Sequence, residues 1–335
     1  MKKNLLILLL CAILIICSQN VNSDFAEYTP TIAAAQSDSY IKYIDFSPSS
    51  TVLYDCLDID VTTYGSDNHI DLVTLLAIIG SENYGDYKKY NKKQLQSIID
   101  SINKNGVEQT VKNKKLYNYY LEAYGAVLGG MVGRYTEVSV SSDGSESRRE
   151  CYGLRAFSPI GAGYSYTDYD DFGASRSYGY RRSHLGHDLL GSVGTPIIAT
   201  ESGYIEHIGW NMYGGWRIGI RSYDGKRYYY YAHLRANHPY SKDMYEGKQI
   251  NAGEVIGYLG MTGYSRKENT NGIDTPHLHY GLQIIFDSSQ IDGYNQIWCD
   301  MYALCAFLSQ NRSKTFVRDG ERFSYTYYEY PENPD

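Results

Sequence analysis

At about Tyr135 the pattern of this 335-residue chain changes, and the change limits the folds open to it. From about residue 63 to that point apolar residues recur at helical intervals. After it, short β-branched and aromatic stretches are broken by Gly, Asp and Ser about every eight to twelve residues, the rhythm of an all-β unit. The expected fold is therefore α+β: a small α-helical domain over residues 63–135, then an antiparallel all-β domain over 136–312. The length suggests two domains, each able to bury its own core.

Three helices are expected in the first part. Asp71 to Ile79 is apolar at close spacing, and Lys92 to Ile102 repeats Leu95, Ile98, Ile99 and Ile102. Lys115 to Met131 carries Leu116, Tyr119, Tyr120, Ala123, Val127 and Leu128. Ser66 and Asp67 are candidate caps for the first, and Gly80 its candidate end. In the second part the clearest hairpin pairs Trp216–Arg221 with Arg227–His233, around an Asp224-Gly225 turn suited to positive backbone dihedrals. Residues 246–260 add short strands with glycine corners. Ile297 to Leu308 reads as helical. Residues 24–62 alternate Ser, Thr, Asp and Tyr without a clear period and read as an extended lead-in; residues 313–335 form a Tyr-rich tail.

The first 23 residues read as a leader. Lys2 and Lys3 precede an uninterrupted apolar run from Leu5 to Cys17, the length of a signal-peptide core and short of the roughly 20 residues of a membrane span. Val21-Asn22-Ser23 suits cleavage, giving a mature start near Asp24. The chain is expected to be exported, with an uncleaved anchor and lipidation of Cys17 as minority alternatives; Leu14-Ile15-Ile16 lacks the small residues that lipoprotein processing favours. Cys56, Cys151, Cys299 and Cys305 then remain. Export permits disulfides without requiring them, and the six-residue spacing of Cys299 and Cys305 on a helix argues against a bond between them. The absence of a C-x-x-C pair argues against a cysteine zinc site. The formal net charge is −7, and −9 without the two leader lysines, which argues against a nucleic-acid partner.

Five of the eight histidines fall in three short clusters of the β part: His184 and His187, then His233, then His277 and His279. In a strand, alternate side chains share a face, so His277 and His279 would point into one cleft while Leu278 packs behind them. Neutral imidazole and carboxylate oxygen are ordinary zinc ligands, and catalytic zinc commonly keeps three protein ligands with a fourth place for water. A His-x-His pair alone is more often a satisfied strand face than a ligand pair. Three clusters in one domain bring the two readings to about even, and spacing does not say which of the five are ligands.

The segments His184-Leu185-Gly186-His187-Asp188, Tyr231-Ala232-His233-Leu234 and His277-Leu278-His279-Tyr280, with Gly257-Tyr258-Leu259-Gly260-Met261-Thr262-Gly263 upstream of the last, stand in a telling order. Together they resemble the M23 peptidases of the lysostaphin/LytM type, over about residues 180–285. Residues 140–312 also look like a subgroup of large M23 proteins from clostridia-like bacteria, in which a helical N-terminal region precedes the peptidase. The resemblance implies an antiparallel β peptidase domain with Zn2+ on His184, Asp188 and His279, and His233 and His277 as the uncoordinated catalytic pair. It gives His187 no ligand role, leaving it a neighbour of the site. The implied activity is hydrolysis of peptide bonds in peptidoglycan stem peptides or cross-bridges, in an extracellular or cell-wall-associated protein. A catalytically silent scaffold of the same fold at the cell envelope is the alternative. Tyr280 replaces the commoner aromatic of the last motif, and the loop Tyr264 to Pro276 is longer than usual.

Several features carry weaker readings. The 37 tyrosines, among them Tyr228 to Tyr231 and Tyr325, Tyr327, Tyr328 and Tyr330, could line a substrate groove, but strand propensity explains most of them. Arg181 and Arg182 could meet a stem-peptide carboxylate and equally could be solvated rim charges. Glu82 stands where a lysozyme-type acid would, after an apolar helix, but nothing near it in sequence supports a glycan cleft.

Overall fold

The structure is a computed structural model and describes residues 41–178 and 180–330. The leader, residues 24–40 of the lead-in and the side chain of Arg181 lie outside the described residues.

Among the described residues five α-helices come first: α1 (Ser50–Thr63), α2 (Leu72–Asn83), α3 (Lys92–Asn105), α4 (Val107–Thr110) and α5 (Lys114–Leu128). Helix α1 corrects the extended lead-in. Ser49 caps it by accepting from the Val52 amide, and Val52, Leu53, Cys56 and Leu57 form a buried stripe that the interleaved Ser, Thr and Asp conceal in the sequence. Helix α2 starts at Asp71, whose carboxylate accepts from the Thr74 amide, rather than at Ser66 or Asp67, and it runs through Gly80 to a left-handed cap at Tyr84. Gly80 serves packing. A β-carbon there would lie 2.9 Å from the Tyr87 hydroxyl and 3.2 Å from the Tyr120 ring.

The strands follow: β1 (Val132–Val140), β2 (Glu146–Leu154), β3 (Thr167–Asp168), β4 (Ser175–Tyr178), β5 (Tyr180–Ser183), β6 (His187–Leu190), β7 (Pro196–Ile198), β8 (Gly203–Asn211) and β9 (Gly215–Ser222). After these come β10 (Arg227–Ala232), β11 (Gln249–Ile250), β12 (Val255–Tyr258), β13 (His277–Ile284) and β14 (Ile297–Cys299), then helix α6 (Tyr302–Leu308) and strands β15 (Thr315–Arg318), β16 (Glu321–Ser324) and β17 (Thr326–Glu329). The main sheet has the order β11-β8-β9-β10-β13-β6-β3, with β14 also paired to β13. Its named pairs are antiparallel. The expected β9–β10 hairpin is present, with Gly225 at φ +73° in its turn.

Two further segments differ from expectation. Ile297 to Leu308 is not one helix: its first residues pair with β13 as β14, and α6 begins only at Tyr302. The C-terminal stretch is built into the fold, since β17 pairs with β1 and Tyr328 packs on Phe157 and Tyr135.

Alternation along the central strands sends Leu278, Tyr280, Leu282 and Ile284 of β13, Tyr229 and Tyr231 of β10 and Ile218 and Ile220 of β9 to one face, all buried. The same apolar cluster contains Leu75, Leu76, Tyr124 and Val127 of the helices, so the helical and β parts share one core rather than having one each. Cys56, Cys299 and Cys305 are buried in it as free thiols, and Cys151 is also unbonded. Arg227 ties the parts together, donating to the carbonyl of Ala126 at 2.8 Å. The opposite face of the central strands carries the candidate site.

Candidate active site

Strand register assembles the first three groups. On β6 Asp188 lies opposite His279 of β13, which lies opposite Ala232 of β10. His277 and His279 share a face while Leu278 and Tyr280 are fully buried on the other. His184 precedes β6 and is held by its backbone: its N–H donates to Ala174 O (2.9 Å) and its carbonyl accepts from Gly173 N (2.7 Å).

These elements bring three ligand atoms together. His184 Nε2 lies 3.1 Å from Asp188 Oδ1 and 3.0 Å from His279 Nδ1, and His279 Nδ1 lies 3.0 Å from Asp188 Oδ1. An ionised carboxylate has no proton to give, so three lone-pair atoms in a near-equilateral triangle repel unless a cation sits among them. The spacing is close to the roughly 3.3 Å between ligand atoms of a tetrahedral centre with ~2.0 Å bonds. The donor set therefore fits a divalent metal. Burial opposes ionisation of Asp188, but His184 and His279 beside it hold its carboxyl well below the usual range. Burial likewise pushes the His279 imidazole down, towards the neutral form a ligand needs, even though Asp188 favours its charged form.

His233 reaches this face by a local device. Ala232 is on the site side, so strict alternation would send His233 into the core. Instead His233 adopts φ +63°, a left-handed conformation in which histidine is one of the less disfavoured residues, and its ring turns back to the cleft. Its Nδ1 lies 2.9 Å from Thr262 O, and His277 Nδ1 lies 2.8 Å from Thr275 O. A carbonyl only accepts, so each Nδ1 carries the proton and each Nε2 keeps its lone pair. The two rings are 4.8 Å apart, centre to centre, and His233 is 5.8 Å from the His279 ring. Burial, then the neighbouring imidazoles of His277 and His279, holds His233 well below the ordinary imidazole range.

The cleft over these groups has a volume of about 180 Å³, with Arg176, Arg182, Tyr213, Tyr230 and Tyr264 in its walls. The Arg182 guanidinium donates to the Tyr264 hydroxyl and lies over the rings of Tyr213 and Tyr264, so it is part of the wall. Tyr228 and Tyr230 pack together with Trp298 away from the core, on the site side of the sheet, whereas Tyr229 and Tyr231 face the core. His187 points away from the triangle. It is buried, with Nε2 2.9 Å from Asp168 Oδ2. Glu82 is ion-paired with Lys112 at 2.7 Å and accepts from Gln94. Asp171 and Arg176, which no sequence pattern marks, reach the far edges of His184 and Asp188.

The profile of peptidase family M23 matches residues 182–292, a stretch that contains the triangle and both further imidazoles. The chain carries an M23 peptidase domain. The L-Ala–D-Glu endopeptidase of Bacillus subtilis is 41% identical over 124 residues, covering 37% of this chain and 36% of the relative. Lysostaphin of Staphylococcus simulans is 37% identical over 98 residues, covering 29% of this chain and 17% of the relative. This chain thus spans about a third or less of the length of these relatives. A crystal structure of a lytM-named protein from Ruminococcus gnavus superposes with a TM-score of 0.53 at 20% identity, covering 80% of this chain and 90% of that one. The likeness in fold therefore extends beyond the M23 domain into the elements that flank it.

Proposed function

We propose that this chain is an exported zinc-dependent endopeptidase that hydrolyses peptide bonds in the stem peptides or cross-bridges of peptidoglycan. The observation that carries the reading is the triangle of His184 Nε2, Asp188 Oδ1 and His279 Nδ1, with two proton-poised imidazoles beside it in one cleft. The substrate class is supported by relatives of the M23 domain named L-Ala–D-Glu endopeptidase and glycyl-glycine endopeptidase. Export is supported by the leader read in residues 1–23.

Two neutral imidazoles and one carboxylate would hold the zinc, and the bound ion would polarise a peptide carbonyl and acidify a water molecule. His233 and His277 present unprotonated Nε2 atoms to the cleft. One Nε2 accepts the proton of the attacking water, and the imidazolium so formed stabilises the oxyanion before passing that proton to the leaving amine, while the other Nε2 orients the water by accepting a hydrogen bond from it. The carbonyls of Thr262 and Thr275 fix both rings in the tautomer this requires.

The deciding experiment measures zinc per chain by native mass spectrometry, beside release of soluble fragments from purified peptidoglycan, for the wild-type protein and His184→Ala. About one zinc per chain with wall cleavage, both lost in the variant, is the expected result. Zinc without cleavage of any wall type would favour the silent scaffold, and a folded protein that binds no zinc would overturn the proposal.

A further inference from the structure

Behind the metal triangle, on the edge of His184 that faces away from it, stands a charged pair outside the residues matched by the family profile. His184 is buried, and its Nδ1 lies 3.3 Å from the carbonyl oxygen of Asp171 and 3.2 Å from Asp171 Oδ1. That Oδ1 is buried and accepts no hydrogen bond. The other carboxylate oxygen, Oδ2, pairs with Arg176. The same Arg176 nitrogen, Nη2, lies 3.5 Å from Asp188 Oδ2, the oxygen of the candidate ligand that turns away from the two imidazoles. It also lies 3.4 Å from His184 Nδ1.

These contacts assign the proton on His184. Its Nδ1 meets two oxygens at 3.2 and 3.3 Å and one cationic nitrogen at 3.4 Å. The backbone carbonyl of Asp171 is the one hydrogen-bond acceptor at Nδ1, and the negative charge of the otherwise unpartnered Oδ1 stands 3.2 Å away, so a proton on Nδ1 is favoured over a lone pair there and Nε2 turns its lone pair to the triangle. Arg176 acts on the third ligand from the same place. By holding Oδ2 of Asp188 it leaves Oδ1 to face the imidazoles.

We infer that Asp171, clamped by Arg176, is a positioning residue for the metal: it fixes the tautomer and ring orientation of His184, while Arg176 holds Asp188 to one inward oxygen. The backbone is shaped to the task. Asp171 O also accepts from Ala174 N, Gly173 N donates to His184 O and His184 N donates to Ala174 O, so the segment carrying Asp171 and the one carrying His184 move as one body. Arg176 stands on β4 opposite Arg182 of β5, on a hairpin that leads directly into His184. A carboxylate behind a ligating imidazole raises its basicity and removes its freedom to rotate, and loss of such a partner typically weakens metal binding about 10- to 100-fold.

The inference rests on the metal reading proposed above, and the test separates the two. Zinc affinity is measured by chelator competition on the full protein for wild type, Asp171→Asn, Asp171→Glu and Arg176→Gln, together with the melting temperature of each protein free of metal. Asp171→Asn keeps the shape but loses the charge and the clamp, and should bind zinc about tenfold or more weakly. Arg176→Gln should move in the same direction, Asp171→Glu should recover part of the loss, and the metal-free melting temperatures should match wild type. Tight zinc binding by wild type with Asp171→Asn within about twofold of it would overturn this inference alone. So would a fall in metal-free melting temperature large enough to account for the loss, which would make the role structural. Absence of zinc binding in the wild-type protein would overturn the metal reading and this one with it.

Discussion

Gly186 lies against the ring of His279: a β-carbon at position 186 would sit 2.5 Å from Cε1 and 2.6 Å from Nε2 of the imidazole. The glycine of the first histidine motif thus makes room for a candidate ligand contributed 93 residues later by another strand, and its φ is not in the left-handed range, so the demand is one of space alone. Gly186→Ala should fold, since alanine suits the backbone, but must displace the His279 ring by an ångström or so. A displacement of that size at a reacting centre costs about 10²-fold. Peptidoglycan cleavage should fall by about that factor with weaker zinc binding, and thermal melting of the metal-free protein should change little. Wild-type zinc affinity in the alanine variant would contradict the steric account.

His233 and His277 differ from His279 in what their loss should do. Neither lies in the ligand triangle, and each has its Nδ1 committed to a backbone carbonyl. His233→Ala and His277→Ala should therefore retain close to one zinc per chain while losing about 10²- to 10⁴-fold in cleavage rate, the range for removing a general acid or base. His279→Ala should lose both. Zinc content by mass spectrometry, measured on the samples used for the cleavage assay, distinguishes the two classes. Loss of zinc in His233→Ala would place that residue among the ligands.

How far the sequence revealed this arrangement depends on whether local pattern or distant packing decides each part. The β9–β10 hairpin was legible because Asp224-Gly225 dictates a tight turn between two β-rich runs. The shared face of His277 and His279 follows from strand alternation. Alternation cannot place His233, because its φ of +63° breaks the period at the residue that matters. Helix α1 was hidden because its apolar stripe is only four residues set among Ser, Thr and Asp, and its stability comes from tertiary packing, such as Tyr54 against Phe307 at 4.7 Å. The run from Ile297 to Leu308 is apolar almost throughout, and periodicity does not separate a buried strand from a buried helix over so short a stretch. Asp171 had no signal at all. It acts from a loop 13 residues before His184, and only the folded chain brings them together.

The stability of the metal-free protein should fall on the acid side. Burial, with the neighbouring imidazoles of His277 and His279, holds His233 well below its ordinary value, and burial lowers His279 as well. In the unfolded chain both take up a proton near pH 6.5, while in the folded chain they do so only at lower pH. As pH falls below about 6.5 the unfolded state binds more protons than the folded one, so stability present above that pH is progressively lost towards the folded-state values. Asp188, held low in the folded protein, adds a loss in the same direction at more acid pH. Melting of the metal-free protein should occur at lower temperature at pH 5 than at pH 7.5, and His233→Gln should flatten the difference. A melting temperature that rises towards acid would contradict the assignment of buried neutral imidazoles.

The largest effect on stability away from the cleft should come from Arg227. Its guanidinium is 2% exposed and donates to Glu201 through Nε at 2.7 Å and Nη2 at 3.1 Å, to Asp224 at 2.8 Å and to the carbonyl of Ala126 at 2.8 Å. Glu201, equally buried, also accepts from Tyr229 at 2.6 Å. Gly130, just beyond α5, lies so close that a β-carbon would meet Glu201 Oε1 at 1.8 Å, so the helical and β parts meet on this ion pair. Replacing one partner leaves the other charge buried and uncompensated. Arg227→Met should destabilise the fold by about 3–5 kcal/mol, and a second change of Glu201 to Leu should recover much of that loss, because a buried ion pair and a well-packed apolar pair are often close in stability. Chemical denaturation of the two variants measures both quantities. A single variant within 1 kcal/mol of wild type, on the order of a surface pair, would mean that water reaches Glu201 and that the junction is looser than its hydrogen bonds indicate.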